Sequence, residues 1–138
     1  MKLITLLLSM LLVNMAMYAQ KVKAADVPLS VKEGLKKKFP GITVEKWEKE
    51  GVNFEAEFDL NKVETSALFD NNGNLIETES EINISELPQK AIEYLSEKYK
   101  DEKIKEASKI TMANGQIKYE AEIKGKDILF DTEGIILK

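Results

Sequence analysis

The chain has no cysteine, no histidine and no arginine, and only three prolines and one tryptophan among its 138 residues. Without cysteine there is no disulfide framework and no thiol for lipid attachment at a new N-terminus. Without histidine and cysteine the chain cannot assemble a Ser-His-Asp or Cys-His nucleophile system, or a zinc site of His and Cys ligands. Without arginine it has no bidentate guanidinium clamp for carboxylate or phosphate. Most familiar enzyme designs are thereby excluded; we expect no enzyme and no cofactor. The balance of 20 lysines against 24 acids, a net charge of −4, also argues against nucleic acid, whose phosphates need a clustered positive patch. The one dense basic run, Lys36 to Lys38, falls where a helix should end and complements the negative end of its dipole.

The single long apolar run opens the chain. In MKLITLLLSMLLVNMAMYAQ, Lys2 precedes an apolar stretch from Leu3 to Val13, followed by small residues at Ala16 and Ala19, which is how a secretory signal peptide is built. The run is shorter than the roughly 20 residues needed to span a bilayer. Residues 1–19 are expected to be removed, leaving residues 20–138 with 19 lysines against 24 acids, a net charge of −5. The mature chain is expected to be periplasmic or secreted, without a stable membrane anchor.

What the chain does contain is an echo of itself. VPLSVKEGLKKKF, Val27 to Phe39, aligns with LPQKAIEYLSEKY, Leu87 to Tyr99, at an offset of 60; FEAEF aligns with YEAEI at 65; and ALFDNNGNLI aligns with ILFDTEGIIL at 61. Each copy begins with apolar residues at every fourth position, Val27, Val31, Leu35 and Phe39, then Leu87, Ala91, Leu95 and Tyr99. That spacing makes one helical stripe, with Pro28 or Pro88 tolerated at the helix start. Pro40-Gly41 punctuates the first helix clearly, and Lys100-Asp101 the second more weakly.

After each helix the period changes to two. Phe54, Ala56 and Phe58 alternate with Glu55, Glu57 and Asp59, and turn residues fall at Lys49 to Gly51, Asn61-Lys62, Asn71 to Asn74 and Ala113 to Gln116. The fold class predicted is α+β: a tandem repeat of one helix followed by a four-stranded antiparallel meander, with the helices packed on one face of the sheets. The repeats run from about 26 to 82 and from 85 to 138. Units this short have marginal cores, so they are expected to share apolar surface and form one mature domain.

In the FEAEF and YEAEI strands the aromatic and alanine positions face the helix and the glutamates face away. Glu55 with Glu57, and Glu120 with Glu122, then lie roughly 7 Å apart on one strand face, a spacing found in inverting glycosidases. Such chemistry needs a desolvated acid beside a cleft, and no neighbour in sequence supplies apolar walls; the expectation is solvated sheet surface. DNNGNLIETESE, Asp70 to Glu81, places acids and amides as in a calcium loop, but its sixth position is Leu75 instead of glycine, so a tight hairpin is expected. Asn83-Ile84-Ser85 matches a glycosylation acceptor, a pattern short enough to arise by chance.

Trp47 is the most informative single residue. If Val44 faces the helix, strict alternation sends Trp47 to the outer face, which Leu68 and Leu129 also reach. An exposed aromatic with aliphatic neighbours has the composition of a protein-binding hot spot. A bulge would instead turn Trp47 inward, or the second unit would cover it.

The helix opening at a proline, FEAEF with YEAEI, and LFDNNGNL with LFDTEGII together resemble the PepSY-like secreted proteins described as beta-lactamase-inhibitor-like, in which a helix and a four-stranded sheet occur in tandem. The resemblance implies an exported, non-enzymatic module that binds or inhibits another envelope or secreted protein through its open sheet face. It carries over no catalytic residue. Trp47, Leu68 and Leu129 are the contacts expected from that reading, and the alternative is a small-ligand or calcium binder using the acidic outer face.

Overall fold

The computed structural model describes residues 19–137; the predicted signal peptide, apart from Ala19, lies outside them. Among the described residues, strand β1 (Gln20–Val22) leads into helix α1 (Leu29–Lys38), then β2 (Val44–Glu50), β3 (Asn53–Leu60), β4 (Val63–Phe69) and β5 (Leu75–Glu81). Helix α2 (Gln89–Lys98) is followed by β6 (Ile104–Met112), β7 (Ile117–Ile123) and β8 (Lys126–Phe130). All eight strands form one antiparallel sheet in chain order. The α+β class is as expected, but the strand count differs from two meanders of four. β1, which the sequence reading missed, supplies one edge, and the second unit has three strands plus a single bridge between Phe130 and Ile136.

Both helices start and stop alike. The carbonyls of Pro28 and Pro88 accept the first helical N–H bonds, and each helix ends where Phe39 donates to Leu35 or Tyr99 to Leu95. The weaker Lys100-Asp101 punctuation therefore costs the second helix nothing in length. Val31 and Leu35 of α1 pack on Trp47, Phe54, Ala56, Phe58, Ala67 and Phe69; Ala91 and Leu95 of α2 pack on Ala107, Ala121, Ile123, Ile128 and Phe130. Ala56, Ala67 and Ala121 have no exposed surface, and their small size lets the helix lie close to the sheet. Each large side chain buried in this way contributes on the order of 1.5–3 kcal/mol.

The two apolar clusters stay separate, contrary to the expectation that the units share apolar surface. At the seam, Thr78 pairs with Thr111 and Ser80 with Lys109 on the helix side. Polar residues there leave the β5–β6 backbone ladder as the main link.

Turn chemistry closes the hairpins. Asn61-Lys62 and Lys124-Gly125 have positive φ at both central residues, as two-residue hairpin turns require. Gly73, at φ +82°, sits against the carbonyl of Ser30, and a Cβ there would collide with helix α1.

Candidate functional site

The face of the sheet away from the helices is built by the strand alternation and the pairing register. Glu55 lies opposite Leu68, which lies opposite Glu77; Ser66 lies opposite Glu79, which lies opposite Ile110; Glu120 lies between Ser108 and Leu129. Side chains directly across a ladder share a face, so glutamates from β3, β5 and β7 converge on one surface.

That surface is concave. A hollow of about 350 Å3 is lined by Glu50 of β2, Glu55, Glu77, Glu79, Ile110, Lys118, Glu120, and Asp127 and Leu129 of β8. In a flat sheet β2 and β8 would lie roughly 29 Å apart, six strand spacings of about 4.8 Å, too far to share one hollow. A second hollow of about 200 Å3, lined by Glu57, Glu64, Glu81, Glu106 and Ser108 among others, shares Glu55 and Glu79 with the first. The helices occupy the convex side.

Crowding carboxylates in a partly dehydrated trough raises their proton affinity. Glu55 is pushed up to about 8, first by burial and then by the charges of Glu50, Glu79, Glu57 and Glu48. Glu120 is likewise pushed up to about 8, by burial and then by Glu79, Asp127, Glu77 and Glu122. Burial also raises Glu79, with the Ser108 hydroxyl opposing, and Glu77, with Lys118 opposing. Ion pairs form beside these groups: Lys46 Nζ is 2.9 Å from Glu48 and 2.8 Å from Glu57, and Lys105 Nζ is 3.2 Å from Glu122. Among the described residues Glu55, Glu79 and Glu120 have no lysine within ion-pairing distance.

These observations correct the expectation of freely solvated acids. Glu55 and Glu120 are half-buried, and Leu129 and Ile110 supply an apolar wall, with Leu68 across the ladder from Glu55. Ile110 is 5% exposed although it lies on the outer face. The sequence reading missed it; its signal was an apolar residue two positions beyond Ser108 on the polar side of β6.

Trp47 is the main correction among the site residues. It is 7% exposed and packs in the helix-side cluster. Val44 pairs with Phe58 and Lys46 with Glu57, so Glu45 is an extra residue, and this bulge restores Trp47 to the face of Ala56. A one-residue slip exchanges the two faces of a strand. Leu68 and Leu129 do lie on the concave face, opposite Glu55 and Glu120; Trp47 is on the other side of the sheet from both.

Other candidates are occupied locally. The Asp70 carboxylate accepts the backbone N–H groups of Asn72 and Asn74 and the Asn74 amide, each at 2.9 Å, bonds that hold it below the usual carboxylate range, the Asn74 amide most of all. This is a turn that closes on itself, as is its counterpart at Asp131. Asn83 is tied to Glu86 in a capping box. Carboxylate oxygens of Glu48, Glu55 and Glu57 lie within 4.8 Å of one another, with the Lys46 ammonium already bound to two of the three.

A family model described as "Putative beta-lactamase-inhibitor-like, PepSY-like" matches residues 14–77 and 53–138. The chain belongs to this PepSY-like family. Among solved structures, a BLIP-like protein from Bacteroides fragilis is 27% identical with a TM-score of 0.60, covering 79% of this chain and 82% of its own. A DUF2874 family protein from Bacteroides uniformis is 20% identical with a TM-score of 0.69, over 80% of this chain and 86% of that one. A "putative periplasmic" protein from Bacteroides eggerthii is 21% identical with a TM-score of 0.67, over 81% and 86%. At those identities the likeness to the last two is one of fold alone. None of the curated proteins compared matches the chain. No described helix of this PepSY-like protein is long and apolar enough to cross a membrane.

Proposed function

We propose that this PepSY-like chain is an exported, non-enzymatic binding module that holds another envelope or secreted protein against the concave face of its sheet. The observation that carries the reading is the trough itself, where Glu55, Glu79 and Glu120 meet from three strands over the apolar floor of Ile110, with six acids and the one lysine Lys118 in its lining. A partner with lysine or arginine side chains at its docking surface supplies the missing charge, and Leu68 and Leu129 are the contacts that exclude water around it. The BLIP-like description of the Bacteroides fragilis relative points the same way. Export follows from the signal-like residues 1–19, with cleavage after Ala19, and the mature part is one domain of two repeats, about 26–82 and 85–138.

Glu55 and Glu120 have the raised proton affinity of a catalytic acid, but a hydrolase pairs one such group with an ionised partner poised on a substrate. Here burial and mutual repulsion lift several glutamates together, which is a surface short of cations. Capture of envelope proteins on the immobilised chain tests the reading. The captured partner should elute at moderate salt and be lost in Leu68→Ser with Leu129→Ser; capture that is indifferent to both salt and these substitutions would sink it.

The cation-binding alternative rests on the Glu48, Glu55 and Glu57 carboxylates. Because Lys46 already occupies two of them, millimolar calcium is expected to leave the melting midpoint where it is. An upward shift, abolished by Glu57→Gln, would replace the protein-binding reading with this one.

A further inference from the structure

On the opposite side of the sheet from the trough, we infer that the groove between α2 and the start of β6 binds a small free amphiphile, an apolar chain ending in an anionic head, of the fatty-acid class. The groove encloses about 380 Å3, within the range of small-molecule sites. Leu95 and Ile123 form its buried floor, and Ile92, Tyr99 and Ile104 its half-buried walls, while Ile84 stands at the mouth, 40% exposed.

The first unit shows that the groove is not a requirement of the fold. At the repeat offsets, Ala24 corresponds to Ile84, Lys32 to Ile92 and Phe58 to Ile123. In the first unit the Phe39 and Phe58 rings meet at 5.0 Å, where the second unit has Tyr99 and the smaller Ile123. Each of the three differences makes the second groove more apolar or deeper.

Charge selects the head group. The charged groups lining the groove are Lys100, Lys103 and Glu102, and Glu102 is already paired with Lys124 at 3.0 Å. Two ammonium groups at the rim therefore face an incoming anion. The Ser96 hydroxyl donates to the Glu93 carbonyl and makes no such demand. A volume of this size suits one acyl chain, so the ligand is a free amphiphile and not a bilayer lipid.

The full mature chain is titrated with octanoate, decanoate and decanol below their aggregation limits, using displacement of anilinonaphthalene sulfonate fluorescence. Decanoate should bind more tightly than octanoate by roughly fourfold per added methylene, and more tightly than decanol. Ile92→Lys, which installs the first unit's residue at a half-exposed position, should lose decanoate; Ile123→Phe should do the same where its melting curve shows it folded. Lys100→Glu with Lys103→Glu should bring decanoate down to the level of decanol. No binding of decanoate, equal binding of decanoate and decanol to the unsubstituted chain, or unchanged binding in Ile92→Lys overturns the proposal. So does sedimentation with phosphatidylglycerol vesicles in place of decanoate binding, which would assign the groove to a membrane surface.

Discussion

Val44 and Trp47, three residues apart on one strand, face the same side of the sheet. Glu45 makes this possible by bulging out of the ladder, and it converts the chain's only tryptophan from a surface residue into part of the core under α1. In the second unit, the register shifts between Ile104 and Glu106 in the same way, and Ala107 takes the place of Trp47.

Trp47→Ala should therefore destabilise the fold by about 3–5 kcal/mol, the usual cost of emptying a large aromatic site. Urea unfolding followed by far-ultraviolet circular dichroism measures it. A loss below about 1 kcal/mol would mean that the indole is not packed as described.

The acidic trough makes stability depend on pH in a definite direction. Glu55 and Glu120 are raised from 4.5 to about 8, so the folded chain keeps protons that the unfolded chain has released. Their stabilising contribution is full below 4.5 and declines as pH rises towards 8. The melting midpoint should fall across that interval, and fall less steeply in Glu55→Gln with Glu120→Gln. Parallel curves for the two proteins would show that these carboxyls are ordinary.

Lys46 stands between Glu48 and Glu57. Lys46→Met should cost about 0.5–1 kcal/mol at low ionic strength, in keeping with a partly exposed pair, and less in about 1 M salt, which screens it. A cost that is the same at both ionic strengths would make the loss one of packing.

Gly73→Ala should destabilise by about 1–3 kcal/mol from its positive φ alone, and by more because the new methyl meets Ser30. Gly115→Ala is the control: its φ is +87° and a Cβ there meets nothing within 4 Å. Equal losses in thermal melts of the two variants would remove the case for a close helix–turn contact at Gly73.

The helices and most strands were legible because their signals are local. Val31, Leu35, Ala91 and Leu95 repeat at helical spacing, and Phe54, Ala56 and Phe58 at strand spacing, and all seven are buried. The faces of Leu68 and Leu129 followed from the same alternation. β1 was missed because three residues with one apolar side chain, Val22, carry no periodicity. The face of Trp47 stayed open because Val44 to Trp47 reads equally well with or without an extra residue; packing makes the choice. Ile110 looked like one more strand residue until the curvature placed it under the acids.

By itself, the sequence of this protein determined two helix-and-strand units, the residues that fill each core, and the absence of histidine, cysteine and arginine chemistry, since composition and short-range periodicity carry that information. Only the tertiary structure decided that the strands join into one curled sheet, that a bulge buries Trp47, and that glutamates from β3, β5 and β7 share a hollow. Those outcomes depend on backbone twist and on contacts between residues far apart in the chain, where the free energy of packing the whole sheet outweighs any local preference.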